Sequence, residues 1–317
     1  MEGLSYKFLA DSDFVIDHSA SAINVEYLKN YEGFLKYVCY RNGYVAFNHP
    51  RLGQNERHYI TPSKSNAAIF KQNGFDSIPI YYGIPGGFYN NTKTDERYWS
   101  YFQNLGLKAN DYFLFPHRPT KDKGIDKVIR LAKELPNAQF VIAGNAVIPE
   151  HYLSMLDAKR QALYQNLDNL KFVEIPLNPY HAAYFRELCR NANAMLSPFD
   201  YPNYVEGFGI TNAISVALGV PLIITDSPST RELWVEGKDA IYVDSYQSLK
   251  YAVEYFHSMT RNLAPSNKFR VDDYARNYED LANLYSTHNK SVRHSDSVKA
   301  IIFSYIHIYI IGLSKIT

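Results

Sequence analysis

Two cations and a carboxylate lie in glycine-marked loops of this chain at spacings that suit a phosphorylated ligand. Arg118 and Lys123 are five positions apart in HRPTKDKG, and Gly124 opens the helical segment that follows. Two positive side chains beside a helix N-terminus, whose unpaired N–H groups face outward, make a place for a diphosphate. Glu206 stands at the head of a second glycine turn, EGFG (206–209), which runs into the helical pattern ITNAISVALG and then the β-branched run VPLII. A ligand whose phosphates met that turn would carry its hydroxyl-bearing end to the carboxylate. A nucleotide-sugar has that form. Taken singly, an Arg and a Lys in a polar loop are solvated charge and a glycine after a strand is a turn. What points to chemistry is the register in which all three occur.

The elements that must hold these loops follow from periodicity. From Asp111 onward, short apolar runs at 112–116, 139–143, 171–175, 193–197, 220–225 and 240–243 alternate with helical segments. In GIDKVIRLAKEL the residues Ile125, Val128, Ile129 and Ala132 fall on one face. Alternating βα units imply a parallel sheet covered on both faces, an α/β Rossmann-like domain with ligands beyond the carboxyl ends of its strands. The first 110 residues offer strand candidates at 14–16, 44–47, 58–61 and 78–82.

The segments EGFGITNAISVALGVPLII and HRPTKDKG resemble the motifs of retaining GT-B glycosyltransferases of the GT4 family. In that family Glu-(Gly/Pro)-Phe-Gly opens a helix, a second Glu follows eight positions after the first, and Gly-Arg-x-x-x-x-Lys-Gly precedes both. Here the second Glu position is Ile214 and the first Gly is His117. The resemblance covers roughly 40–290 and is strongest over 111–243. It implies a GT-B fold, two Rossmann-like domains facing a cleft, with metal-independent sugar transfer from a nucleotide-diphosphate donor and retention at the anomeric carbon. It assigns Arg118 and Lys123 to the leaving diphosphate and Glu206 to the transferred sugar, with the N–H groups of Gly207, Phe208 and Gly209 fixing the donor. Gly144, in the AGN turn at 143–145, falls near the base, as packing first and contact second. His49, in GYVAFNHP, maps to a sugar-facing histidine. Ser197 and Pro198 match the family's Pro-Ser loop in swapped order, and Asp200, Tyr201 and Tyr204 either line the base or sugar or form a surface loop. With Ile214 unable to hold a ribose hydroxyl, Asn212 or Ser215 is the substitute in part.

The same resemblance divides the chain into a shortened N-terminal, acceptor-side Rossmann-like domain (1–108), a nucleotide-sugar domain (109–270), a crossover helix (271–290) and an apolar tail (291–317). The first domain shows no opening strand with a glycine-rich loop. The tail, IIFSYIHIYIIGL at 301–313, falls short of the roughly 20 apolar residues that span a bilayer. It either packs on the domain as helix or strand, or attaches to a membrane surface.

Composition excludes several classes. Lys plus Arg number 33 and Asp plus Glu 32, so no global field draws nucleic acid or an anionic membrane. Cys39 and Cys189 are too far apart for a CxxC site and have no clustered His, which argues against structural zinc or a disulfide framework. There is no P-loop, G-x-G-x-x-G, G-x-S-x-G or H-E-x-x-H pattern, and no Asp-x-Asp triplet for a divalent metal. No cofactor or metal is expected beyond the donor itself. Charge interrupts MEGLSYKFLADSDF from the outset, unlike a signal peptide, so a cytoplasmic and at most membrane-peripheral location is expected. Ser229 and Glu232 fit a capping box for the helix TRELWVE. Asp17 and His18, after a strand, form a lesser polar pair. The rival reading is a weak or inactive nucleotide-sugar-binding regulatory protein, since Ile214 and the short first domain each remove something catalysis uses. The acceptor, whether glycan, lipid or protein, is not legible.

Overall fold

The computed structural model describes residues 14–17, 36–39, 57–74, 76–89, 93–145, 167–176, 178–258, 266, 268–270, 272–273, 276–277 and 300–303. They fall into two units, one reaching to Gly83 and resuming at Arg270, the other running from Ile84 to Phe269. The fold is mixed α/β with a parallel sheet in each unit, as the alternating pattern implies.

The first unit holds β1 (Phe14–Asp17), β2 (Lys36–Cys39), β3 (Arg57–Thr61), β4 (Ser77–Pro79) and, from the far end of the chain, β11 (Ala300–Phe303). Their order is β11-β1-β2-β3-β4, with every pairing parallel. Parallel neighbours require a crossover, and between β3 and β4 it is α1 (Lys64–Gln72), whose N-cap Ser63 accepts from the Asn66 N–H at 3.2 Å. The apolar tail therefore opens as an edge strand on β1. The strand expected at 44–47 lies outside the described residues, as does the crossover helix except 272–273 and 276–277, which are helical.

The second unit contains β5 (Tyr112–Phe115), β6 (Gln139–Asn145), β7 (Leu170–Ile175), β8 (Ala194–Ser197), β9 (Leu222–Thr225) and β10 (Ala240–Val243). The parallel order β10-β9-β8-β5-β6-β7 is the 3-2-1-4-5-6 arrangement of dinucleotide-binding sheets. The chain builds outward from β5 to β7, then crosses back to place β8 on the other side of β5. Between β5 and β8 lies the topological switch point. β5, β8 and β9 are buried at every residue, which is why they read as unbroken apolar runs. Phe113, Phe115, Phe140, Ile142 and Leu196 share a core with Ile125, Val128, Ile129 and Leu131 of α3 (Ile125–Glu134). Each such side chain contributes about 1.5–3 kcal/mol by leaving water.

The division at Gly83 and Ile84 falls earlier than the 108/109 boundary expected from sequence. The reason is α2 (Glu96–Asn104), which packs on the second unit: Trp99 stacks on Tyr112 at 6.5 Å, and Phe102 meets Tyr184 of α4 (His181–Arg190) edge-on at 6.3 Å. Three further helices follow: α5 (Ile210–Ala217), α6 (Pro228–Leu233) and α7 (Tyr246–His257). The cap of α6 is Ser227 in a box with Thr230, and not Ser229 with Glu232 as expected. Pro228 takes the first helical position, where its fixed φ and missing N–H cost nothing, so the helix starts two residues earlier. Among the described residues, no helix is long and apolar enough to cross a membrane.

Candidate functional site

The loop after β5 (116–124) carries Arg118 and Lys123, and the loop after β8 (198–209) carries Glu206, so both leave the sheet at its switch point. Backbone contacts stitch the loops together. The Asp200 N–H donates to the Asp122 carbonyl at 2.9 Å, and Lys127 Nζ donates to the Phe199 carbonyl at 3.1 Å. Gly124 caps α3 at φ +89°, and a Cβ there would lie 2.1 Å from the Pro198 carbonyl oxygen. Only glycine satisfies both conditions. Gly209 caps α5 at φ +70°, with the Asn212 amide filling the space a Cβ would need. Helix α5 thus begins at Ile210, directly after the EGFG turn.

Lys123 Nζ donates to Glu206 Oε2 at 2.5 Å and to the Tyr204 hydroxyl at 2.5 Å, and lies 4.4 Å from the Tyr204 ring centroid. The Lys123 and Glu206 side chains are 11% and 8% exposed, a depth at which an unpaired charge would cost several kcal/mol. Burial pushes the Lys123 pKa down, but the Glu206 carboxylate and Tyr204 more than offset it, so the pKa stands above the ordinary value and the ammonium is retained. Burial, reinforced by Glu206, raises the Tyr204 phenol to about 12. At neutral pH Lys123 is an ammonium and Tyr204 an un-ionised phenol.

His117, standing where the family pattern has glycine, is turned inward. It is buried, with its ring edge-on to Phe115 at 5.2 Å and Nδ1 3.3 Å from Thr211 Oγ1 on α5. Burial foremost, then the charges of Lys123 and Arg118, hold its pKa well below the usual range, so the imidazole is neutral. Arg118 is exposed and makes no ion pair among the described residues.

The remaining expected residues are distributed as follows. Gly207 is buried, and Phe208 is core, its ring edge-on to Phe269 at 5.0 Å and 6.2 Å from Trp234. Gly144 lies in β6 opposite Glu174 of β7. His49 and His18 lie outside the described residues. Ile214 is buried, and the Ser215 hydroxyl is committed to the Val220 carbonyl at 2.9 Å. Asn212 is fully buried, with both amide atoms lacking a partner among the described residues. Tyr201 is exposed, whereas Tyr204 is buried against Lys123. The contact that sequence reasoning missed is this last one. Tyr204 and Lys123 are 81 positions apart, and no local spacing signals it.

Comparison with known proteins gives this geometry a context. The sequence model of the family described as glycosyl transferases group 1 matches residues 98–276, more than half of the chain. Over 115 residues the chain is 27% identical to the O-antigen biosynthesis glycosyltransferase WclY of Escherichia coli. That match takes in 36% of this chain and spans only 28% of the relative's length. The fold is similar to that of a glycosyltransferase from Rickettsia africae, with TM-score 0.68, 14% identity, and coverage of 89% of this chain and 79% of the other. Anabaena HepE, solved in complex with UDP and glucose, aligns with TM-score 0.64 and 18% identity over 79% of this chain and 72% of its own. These structures have the GT-B fold, and the present chain shares it.

Proposed function

The chain belongs to the glycosyl transferases group 1 family, and from that premise we propose that it moves a sugar from a nucleotide-diphosphate donor to an acceptor, in the GT4 manner, with retention and without a metal. The observation that supports this reading most is the meeting of Lys123 and Glu206 at 2.5 Å from two loops at the switch point of the sheet. Such a site lies where open α/β sheets bind nucleotides. As the bond between sugar and diphosphate breaks, negative charge builds on the leaving group. Fixed cations there favour the transition state over the ground state. Arg118 and Lys123 supply them, and Glu206 orients the sugar through its hydroxyls. The N–H groups of the turn that leads into α5, Gly207 through Gly209, fix the diphosphate. Departure and attack take place on one face of the sugar, and no protein nucleophile is assigned.

The test is calorimetric titration of UDP, GDP and their common sugar conjugates into the wild-type chain and Arg118→Ala, with turnover of the bound donor measured in Glu206→Ala. UDP comes first because HepE has been solved with it. Binding selective for one nucleotide and lost in Arg118→Ala is expected. Glu206→Ala is expected to lose turnover far more than nucleotide affinity. Equal loss of both, or of neither, would sink the assigned role.

A second reading, a weakly active or inactive nucleotide-sugar-binding regulatory protein, is favoured by one feature. Ile214 is apolar and buried where the family has a ribose-holding carboxylate, and Ser215 is spent on Val220. A lost ribose hydrogen bond costs about 1–3 kcal/mol of affinity, which weakens the site without abolishing it. Tight nucleotide binding with no turnover would decide for this reading.

A further inference from the structure

Tyr204 lies outside the patterns that pointed to Lys123 and Glu206, yet in space it is their third member. Its hydroxyl accepts from Lys123 at 2.5 Å, and the same ammonium donates to Glu206. Its own placement is set by contacts with the same loop. The ring is edge-on to Phe199 at 6.0 Å, the backbone N–H donates to the Asp200 carbonyl at 2.7 Å, and the Asp200 N–H in turn holds the Asp122 carbonyl beside Lys123. The tyrosine is thus anchored to the loop that carries the lysine.

This arrangement bears on what happens when a diphosphate arrives. In the structure the two groups assigned to opposite ends of the donor are spent on each other. A carboxylate held by Lys123 competes with sugar hydroxyls, and an ammonium held by Glu206 competes with phosphate. Lysine is a flexible point charge on a four-carbon stem, so an ammonium released by Glu206 alone would be free to swing away. The hydroxyl and ring of Tyr204 supply a second hold that carries no charge and does not compete with phosphate. We propose that Tyr204 is a positioning residue, keeping the Lys123 ammonium in place while a bound diphosphate draws it off Glu206 and so frees the carboxylate for the sugar. The proposal rests on the donor reading above.

Tyr204→Phe keeps the ring and its packing and removes only the hydroxyl. The experiment titrates UDP and uridine into the wild type, Tyr204→Phe, Lys123→Ala and the double variant, with uridine followed by ligand-observed NMR. Tyr204→Phe is expected to weaken UDP roughly five- to tenfold and to leave uridine unchanged, because uridine has no diphosphate for Lys123 to meet. In the Lys123→Ala background the same substitution is expected to change nothing further, the non-additivity of two groups acting through one contact. A packing role predicts otherwise: UDP and uridine weakened alike, or the same loss with and without Lys123. Either result overturns the proposal, as does wild-type affinity for UDP in Tyr204→Phe when Lys123→Ala has lost it. If the wild type binds neither UDP nor GDP, the donor reading fails and this inference falls with it.

Discussion

At the scale of single residues, His117 and Lys123 answer burial in opposite ways. Lys123 keeps its proton because Glu206 and Tyr204 touch it. His117 loses its proton because burial is joined by two neighbouring cations. An imidazole with a folded pKa below its unfolded value, near 6.5, makes stability depend on pH in a fixed direction. Between the two values the unfolded chain binds a proton that the folded chain refuses, so stability rises with pH. The contribution is complete above about pH 6.5 and is lost as pH falls below it. His181, its pKa lowered by burial despite its contact with the Pro176 carbonyl, adds in the same sense. Denaturant unfolding of the wild type is therefore expected to show falling stability from pH 7 to 5. In His117→Gln the slope should be shallower by up to about 1.4 kcal/mol per pH unit. An unchanged slope would mean that His117 titrates normally. None of this was legible in the sequence, where His117 stands out only as the residue replacing glycine. The state of the imidazole is decided by burial, where it meets Phe115 and Thr211, 94 positions away, and by the charges of Lys123 and Arg118.

At the scale of elements, the tie between α2 and α4 shows how the stretch after Ile84 is made part of the second unit. The backbone N–H of Asp95, the N-cap of α2, donates to Glu187 Oε2 on α4 at 3.1 Å. Thr94 Oγ1 donates to Asn191 Oδ1 at 3.1 Å. Glu187 has no solvent exposure and faces Arg186 at 2.8 Å and Arg190 at 3.4 Å. Breaking such a buried group by removing one member leaves uncompensated charge. Glu187→Ala is expected to destabilise the protein by about 3–5 kcal/mol, read as a lower denaturation midpoint. A loss below about 1 kcal/mol would place the group with surface pairs. All six strands of the second unit match the apolar runs; β5, β8 and β9 are buried at every residue and leave no polar alternation to confuse them, whereas β7 and β10 keep partly exposed positions. In the first unit β2, KYVC, was not anticipated. It is four residues long, begins with a lysine and stands among tyrosines, so neither length nor pattern marks it. At α6 the expected cap was Ser229, and Pro228 at the first helical position places the cap at Ser227 instead.

At the scale of the whole molecule, the first unit draws its sheet from both ends of the chain. β1 has β2 on one side and β11 on the other, in register Phe14 with Ala300 through Asp17 with Phe303. The apolar tail was legible as a segment needing cover, whether as helix, strand or surface attachment, but its pairing with β1 was not, because that partner lies almost the full chain length away. Within it, Ala300–Phe303 pair with β1 through the backbone. Successive backbone amides of a strand point to alternate neighbours, so a chain ending at Lys299 would leave part of β1 without hydrogen-bond partners and turn β1 into an exposed edge. Hydrogen exchange in that truncated chain is expected to lose protection within Phe14–Asp17 while β8 and β9 of the second unit keep theirs. Nucleotide affinity, assigned to loops of the second unit, should be unaffected. Undiminished protection at Phe14–Asp17, together with flotation of the full chain but not the truncated one on anionic vesicles, would mean that the tail serves a surface and not the sheet. The two outcomes separate because pairing protects amides in the absence of lipid, whereas surface attachment leaves β1 indifferent to the loss of its neighbour.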